Sequence, residues 1–339
     1  EIMKIFGQSH KKLLKSKILL ATGIYTALTF MFFFKIIFGG ESYLSLDSNA
    51  TGSLVAPLRA WYEETGKMPL WSPYIFCGMP TAGSMMYSGQ VYMPGFLYTP
   101  FSNIFPKLFL ILHYIFAGLG VFLFLKRRKI DDFSAFFGGL VFIFTPYLIT
   151  MFAHGHGSQI MTAAYLPWML WGTDRLLEKV SIRNIALAGL IFGFALQRGH
   201  IQIFYYGVLL SYLYMLFKAA TERNLKQHAA LFVGFCIVLI LTIALAAMVY
   251  LPVSEYAPYS IRGGASVGGE TGVGLKYAIQ WKMTAKEFVT FFIPSALGFG
   301  GETYHGTMLF TDFPNYAGIL TLFLAIAGSF YSIRYKNNN

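Results

Sequence analysis

Charged side chains are scarce in this sequence. Asp, Glu, Lys and Arg make up 12% of the 339 residues, hydrophobic residues make up 56%, and the mean hydropathy is +0.55. A soluble domain carries about 25% charged residues, because its surface faces water. This composition therefore excludes an ordinary soluble domain and predicts an all-α polytopic membrane protein.

Cysteine and the common catalytic motifs are also rare or missing. The two cysteines, Cys77 and Cys236, are far apart in the chain, and the first is predicted outside a span and the second within one, so we expect no disulfide. The sequence has no CxxC pair, no GxxxxGK[ST] loop and no HExxH helix. These absences argue against a structural zinc site, a nucleotide-binding loop and a zinc protease of the HExxH type. We expect any chemistry to use an activated donor already dissolved in the membrane.

Long apolar runs predict about eight transmembrane helices, since about 20 apolar residues cross the hydrocarbon layer. The runs are 18–38, 107–125, 134–152, 159–173, 184–197, 201–217, 229–251 and 315–333. The first is too long for a cleaved signal peptide and is predicted to be a signal anchor. The start without Met and the abrupt end led us to expect the N-terminal part of a longer chain.

Positive charge follows these spans in a regular way. The segments on the N-terminal side of the predicted membrane carry 17 of the 26 Lys and Arg residues and 6 of the 15 Asp and Glu residues. Basic residues accumulate on the cytoplasmic side of membrane proteins. The N-terminus is therefore predicted on the cytoplasmic side of the membrane, and nucleic acid is not needed to explain the net charge of +11.

Two long segments are predicted on the outer face. The first outer loop, 39–106, contains an amphipathic stretch at 55–64 and was expected to form short helices on the membrane surface. The second outer loop, 252–314, contains the glycine-rich run 262–274. This run is either a flexible linker or a loop that closes over a substrate.

Polar residues at the ends of spans mark a candidate site. Two predicted outer turns are rich in such residues, and Asp47 follows the first span. The turns contribute His154, His156 and Gln159, and then Arg198, His200 and Gln202. Ionisable groups at this depth usually line a water-filled cavity, although single ones often only cap helices or extend to the headgroups. Two turns on one face favour a shared polar cavity.

The residue types indicate a possible chemistry. Histidine beside a carboxylate suits general-base catalysis, so His154, His156 and His200 are catalytic candidates. Arg198 and Arg262 suit a phosphate group, because guanidinium donates paired hydrogen bonds. Two histidines with Asp47 could also bind a divalent cation, but the HxH spacing is weak support for a metal.

Several motifs resemble those of the YfhO family of bacterial membrane proteins, and the first outer loop is the most specific part of the match. The matching residues are Asp47, Pro57-Leu58-Arg59, the run GKMPLWSPYIFCGMP at 66–80, His156-Gly157-Ser158-Gln159, Tyr165-Leu166-Pro167-Trp168, Gly199-His200-Ile201-Gln202, Pro252-Val253-Ser254-Glu255 and Phe291-Phe292-Ile293-Pro294. That family is similar to the C-type (GT-C) glycosyltransferases, which take sugars from polyprenyl-phosphate donors.

The resemblance implies a site as well as a function. It assigns Asp47 as the catalytic base or metal ligand, with Glu41 as a weaker candidate. It also implies a polyprenyl-phosphate sugar and an envelope polymer or glycoprotein as substrates. Arg59, Gln159, Arg198, Gln202 and Arg262 complete the candidate substrate-binding residues. A transporter or flippase and a non-catalytic scaffold subunit remain the alternatives, although no repeat relates the two halves as in many transporters.

Overall fold

The structure, a computed structural model, is mostly helical (73%), with almost no strand. It describes residues 2–43, 45–86, 91–98, 101, 104, 107–221, 225–260, 263, 279, 282–298, 303–307 and 315–336. Within these ranges the side chains of residues 2–13, 46–48, 50, 51, 96, 225–227, 333, 335 and 336 are not described.

Twelve α-helices are described. They are α1 (Ile2–Phe32), α2 (Phe34–Ile37), α3 (Leu46–Thr65), α4 (Leu108–Arg127), α5 (Asp132–Ile143), α6 (Pro146–Ala153), α7 (Gly157–Ala163), α8 (Leu166–Glu178), α9 (Ile182–Gln197), α10 (Ile201–Thr221), α11 (Leu225–Tyr256) and α12 (Ile319–Lys336). Short 3-10 segments lie at Met93–Leu97, Ala257–Tyr259 and Ala285–Phe291. Strands β1 (Trp71–Ser72) and β2 (Met79–Pro80) pair as an antiparallel hairpin, which the sequence analysis did not predict.

Four helical segments among the described residues are long and apolar enough to cross a membrane. They are Leu108–Arg127, Asp132–Ala153, Ile201–Thr221 and His228–Tyr259. Shorter apolar helices cover Ile182–Gln197 and Ile319–Ser332. The chain is thus an all-α membrane protein, while the number of eight spans and the direction of insertion stay predictions.

Two predicted spans are interrupted by proline. The span predicted at 134–152 divides into α5 and α6, because Pro146 starts a new helix and lacks the amide that would continue the old one. The span predicted at 159–173 divides into α7 and α8 ahead of Pro167. Of the other predicted runs, 18–38 is interrupted at Phe33 between α1 and α2, and 315–333 is helical only from Ile319. The remaining runs are helical over all or nearly all of their length.

Small residues allow the helices to pack closely, as is typical in membranes. In α5, a side chain at Gly139 would collide with the hydroxyl of Tyr25 in α1. That hydroxyl donates a 2.8 Å hydrogen bond to the carbonyl oxygen of Phe136. In α9, a side chain at Gly193 would lie 2.6 Å from Leu245 of α11. Glycine therefore determines how closely the α1–α5 and α9–α11 pairs approach.

One end of the bundle holds a network of charged residues, which we call the basic end (Lys17, 126–132 and 174–183). Asp174 is 4% exposed and accepts hydrogen bonds from Arg127 Nε (2.9 Å), Arg128 Nη1 (3.1 Å) and the Tyr214 hydroxyl (2.7 Å). Asp132 pairs with Lys17 and Lys126. These ion pairs join segments that the sequence analysis had assigned to one face of the membrane.

Candidate functional site at the histidine end

Most of the predicted polar site residues lie in two turns away from the basic end. We call this region the histidine end (His113, His154, His156, Arg198 and His200). His154 ends α6 and His156 precedes α7, with Gly155 between them at φ 83°. Arg198 and His200 lie between α9 and α10, on either side of Gly199 at φ 81°. Glycine is favoured at both sharp turns, since other residues rarely adopt positive φ.

The two turns approach each other. The pKa of His200 is lowered below its usual value, first by burial and then by the nearby His156. His200 Nδ1 also accepts a 3.3 Å hydrogen bond from the amide of Ile203, which requires a neutral nitrogen at that position. His200 is thus held in the neutral form, with its proton on Nε2, which can donate a hydrogen bond.

The first outer loop touches both turns. The Ser45 hydroxyl donates a 2.6 Å hydrogen bond to the carbonyl oxygen of His154. The amide of Met93 donates a 3.2 Å hydrogen bond to Gln197 Oε1, and Gln197 Nε2 donates to the Leu245 carbonyl oxygen at 2.7 Å. Gln197 is 1% exposed. Because both the oxygen and the nitrogen of its side-chain amide are hydrogen-bonded, it links the first outer loop to α11.

Asp47 lies near this contact, but its side chain is outside the described residues. Its backbone lies in the first turn of α3, two residues after Ser45. Two residues of extended chain span at most about 7.6 Å between Cα atoms. The start of α3 is therefore held close to the His154 turn, whereas the direction of the Asp47 carboxylate stays a prediction.

Arg198 has the most unusual environment at this end. It is 6% exposed, and its guanidinium lies 4.4 Å from the centre of the Tyr92 ring. Its Nε has no hydrogen-bond partner, and among the described side chains no Asp or Glu forms an ion pair with it. Burial lowers the pKa of Arg198, although guanidinium keeps its proton in proteins. Among the described residues, this buried positive charge is therefore accompanied by aromatic rings but by no carboxylate.

Three residues that the sequence analysis missed surround this charge. The Tyr92 hydroxyl is hydrogen-bonded to Tyr165 and lies 3.3 Å from His113 Nε2. His113 Nδ1 lies 2.8 Å from the carbonyl oxygen of Phe109, one turn earlier in α4. Burial raises the pKa of Tyr92, so its hydroxyl stays protonated and can donate. A sequence signal did exist, because His113 is the only acidic or basic residue between Lys107 and Lys126.

Four other predicted site residues are described, and their convergence on the site stays a prediction. Gln202 is exposed and donates to the Tyr206 hydroxyl along α10, while Arg59 is exposed on α3. Glu41 pairs with Lys35 at 3.5 Å, and both side chains are mostly exposed. Gln159 is half-buried in α7.

Arg262 and most of the glycine-rich run 262–274 lie outside the described residues. Their predicted roles in phosphate binding and loop closure therefore stay predictions.

No three His, Cys, Asp or Glu side chains among the described residues form a group able to bind a metal ion. Because the Asp47 carboxylate is not described, the predicted divalent cation stays a hypothesis.

An apolar groove opens beside the histidine end. It has a volume of about 390 Å³. It is lined by Phe142, Thr145, Tyr147, Leu148, Ala163, Leu166, Ile203, Phe291, Asn315, Tyr316 and Ala317. Ile203 connects it to the site, because its amide is bonded to His200. A flexible hydrocarbon chain fits this lining, which contains no charged side chain.

Comparisons of the chain with models of protein families, with curated proteins and with solved structures found no match. The resemblance to the YfhO family therefore stays an expectation.

Proposed function

We propose that this protein is a membrane glycosyltransferase that moves a sugar from a polyprenyl-phosphate donor to an acceptor hydroxyl outside the cytoplasm. The observation that supports this function best is the buried charge of Arg198, which pairs with no Asp or Glu among the described side chains. An anion that enters the histidine end would supply the missing counter-charge. A lipid-linked phosphate would do so from within the membrane.

The energetics favour an anionic ligand at Arg198. Placing an ion in a low-dielectric interior costs several kcal/mol even after relaxation. Cation–π contact with Tyr92 offsets about 2 kcal/mol of this cost. In the empty protein, the rest of the fold must offset the remaining cost of burying the charge. A bound phosphate would lower that cost by supplying the counter-charge. The unpartnered Nε can donate directly to a phosphate oxygen.

The apolar groove supports a lipid as carrier of that phosphate. Polyprenyl chains are long, uncharged hydrocarbons, and the groove between α5, α6, α7 and α10 offers them an apolar lining. Through Ile203 and His200 the groove leads to the polar residues. A soluble nucleotide-sugar donor would have no use for such a groove.

In the proposed reaction, the acceptor oxygen forms a bond to the anomeric carbon of the sugar. The bond between that carbon and the phosphate oxygen breaks, and the electron pair leaves with the polyprenyl phosphate. Arg198 stabilises the charge that develops on this leaving group. Asp47 takes the acceptor proton as general base, and His200, held neutral, orients the sugar hydroxyls.

The test uses purified protein reconstituted in lipid nanodiscs. Binding of a short-chain polyprenyl phosphate and transfer from a panel of polyprenyl-phosphate hexoses are measured side by side. We expect Asp47→Asn to abolish transfer and keep binding, and Arg198→Met to weaken binding. Arg183→Met is the matched control, because Arg183 is an exposed arginine at the basic end.

Two outcomes would contradict the proposal. The first is a wild-type protein that transfers no sugar from any polyprenyl-phosphate donor. The second is Asp47→Asn that transfers at the wild-type rate. Either result would favour the non-catalytic scaffold, whereas binding without transfer and passage of the lipid between leaflets would favour a flippase.

A further inference from the structure

We propose that the β1–β2 hairpin inserts its tip into the lipid headgroup layer and anchors the first outer loop to the bilayer. We call residues 68–81 the aromatic hairpin. This anchor is independent of the glycosyltransferase proposal, because it rests on a different surface of the molecule.

The aromatic hairpin is a defined structure. Trp71 pairs with Pro80 and Ser72 pairs with Met79 in the two strands. At its base, Thr81 donates from its amide to the Leu70 carbonyl oxygen at 3.1 Å. The Thr81 hydroxyl donates to the Pro69 carbonyl oxygen at 2.7 Å. The base is therefore held by hydrogen bonds, and the tip at 73–78 projects from it.

The tip exposes apolar side chains that a water-facing loop would normally bury or lack. Exposure is 62% for Tyr74 and 81% for Phe76 at the tip, and it is 76% for Leu70 at the base. Phe76 and Cys77 have φ of 50° and 61°, in the left-handed region that non-glycine residues rarely adopt. The backbone thus adopts an unfavourable conformation at the point where Phe76 is most exposed. Residues held in sparsely populated backbone conformations cluster at functional sites.

The chemistry of the surrounding loop fits the membrane interface. No charged residue occurs between Lys67 and Lys107, a long interval for a segment that faces water. Trp and Tyr are enriched where headgroups meet hydrocarbon, because their rings are apolar and their N–H or O–H groups are polar. Trp71 is 55% exposed and Tyr74 more so.

The position of the hairpin beside a candidate membrane span also agrees with a location in the headgroup layer. Just after its base, Gly83 packs on α11, where an added side chain would lie 2.7 Å from Tyr256 Cβ and 3.2 Å from the Pro252 carbonyl oxygen. This is the end of a candidate membrane span, His228–Tyr259. Close by on α11, Leu251 is 62% exposed and Met248 59%. The hairpin therefore adjoins an exposed apolar helix surface at the end of a candidate membrane span, which favours lipid over a protein or sugar partner.

Cys77 at the tip provides the test, since the other cysteine can be removed by Cys236→Ala. The remaining thiol is labelled with a nitroxide in protein held in nanodiscs of phosphatidylethanolamine and phosphatidylglycerol. Collision with oxygen, which dissolves in lipid, is compared with collision with a water-soluble nickel complex. Reference labels are placed by Lys179→Cys for water and by Ile243→Cys for lipid, in a Cys77→Ser, Cys236→Ala background.

We expect collision with the nickel complex to be several-fold weaker at Cys77 than at the Lys179 reference position, and oxygen collision to be stronger. Phe76→Asp should reverse this difference, because a carboxylate keeps the tip in water. Nickel collision at Cys77 equal to the water reference would overturn the proposal, and would assign the exposed aromatics to a protein or sugar partner. An unchanged label environment in Phe76→Asp would overturn it as well.

Discussion

Replacing Arg198 with methionine should stabilise the protein while it removes binding of the ligand. Arg198 is 6% exposed, and Nε is without a partner. Methionine is unbranched and adaptable in shape, so it can occupy much of the same volume without a charge. In the empty protein the substitution therefore removes a cost rather than a favourable ion pair.

The magnitude follows from two opposing effects. The variant loses the cation–π contact with Tyr92, which contributes about 1–2 kcal/mol. It also avoids the cost of burying the guanidinium, which is several kcal/mol. We therefore expect the free energy of unfolding to rise by roughly 1–3 kcal/mol, within the range seen when buried ionic groups are replaced by apolar ones.

The measurement is thermal unfolding in nanodiscs, followed by tryptophan fluorescence, with and without a short-chain polyprenyl phosphate. The ligand should raise the Tm of wild type, because it binds only the folded protein, and should leave that of Arg198→Met unchanged. A variant that is less stable than wild type by more than the cation–π contribution would refute the reasoning, since Arg198 would then have a counter-charge already. An equal ligand-induced shift in both proteins would refute the assignment of the phosphate site.

Three further predictions concern the stability of the empty protein, measured in the same assay. Asp174→Asn should lower the free energy of unfolding by roughly 3 kcal/mol, because it leaves two arginines beside a buried neutral amide; a loss below about 0.5 kcal/mol, the size of a surface pair, would contradict the assigned burial. The lowered pKa of His200 means that the folded state prefers neutral imidazole. That stability is fully present above about pH 6.5 and is lost as the pH falls below it, so His200→Gln should be less sensitive to acid than wild type, and equal acid sensitivity would contradict this. Gly139→Ala should cost about 1–3 kcal/mol by overpacking against Tyr25, whereas Gly23→Ala, with open space around it, should be neutral or slightly stabilising; equal effects would contradict the close packing of α1 on α5.

Much of the helical structure could be predicted from residue type alone. The run 107–125 corresponds to α4 almost residue for residue. An uninterrupted apolar stretch in a membrane forms a helix because a helix satisfies all of its backbone hydrogen bonds internally. The run 134–152 was predicted as one helix although Pro146 was visible. Its apolar character is the same on both sides of the break, so hydropathy could not separate α5 from α6.

The site was harder to predict, because its composition depends on tertiary contacts. Arg198 and Gln202 are four residues apart, yet one is buried and the other exposed, since Gly199 changes the chain direction between them. Tyr92 and Tyr165 were missed because tyrosine in an apolar segment also fits an interfacial anchor. Only the folded chain shows that their hydroxyl groups meet beside a buried guanidinium.

The two proline breaks have a mechanical consequence. Helices α6 and α7 lie between them and are joined by the turn at Gly155, so we expect this pair of helices to tilt more readily than continuous helices would. The apolar groove follows both breaks, with Thr145 and Leu148 at one and Ala163 and Leu166 at the other. A hydrocarbon chain in the groove would therefore move His156 relative to His200, and a distance measurement between labels on α7 and α10 would record that displacement as the lipid binds.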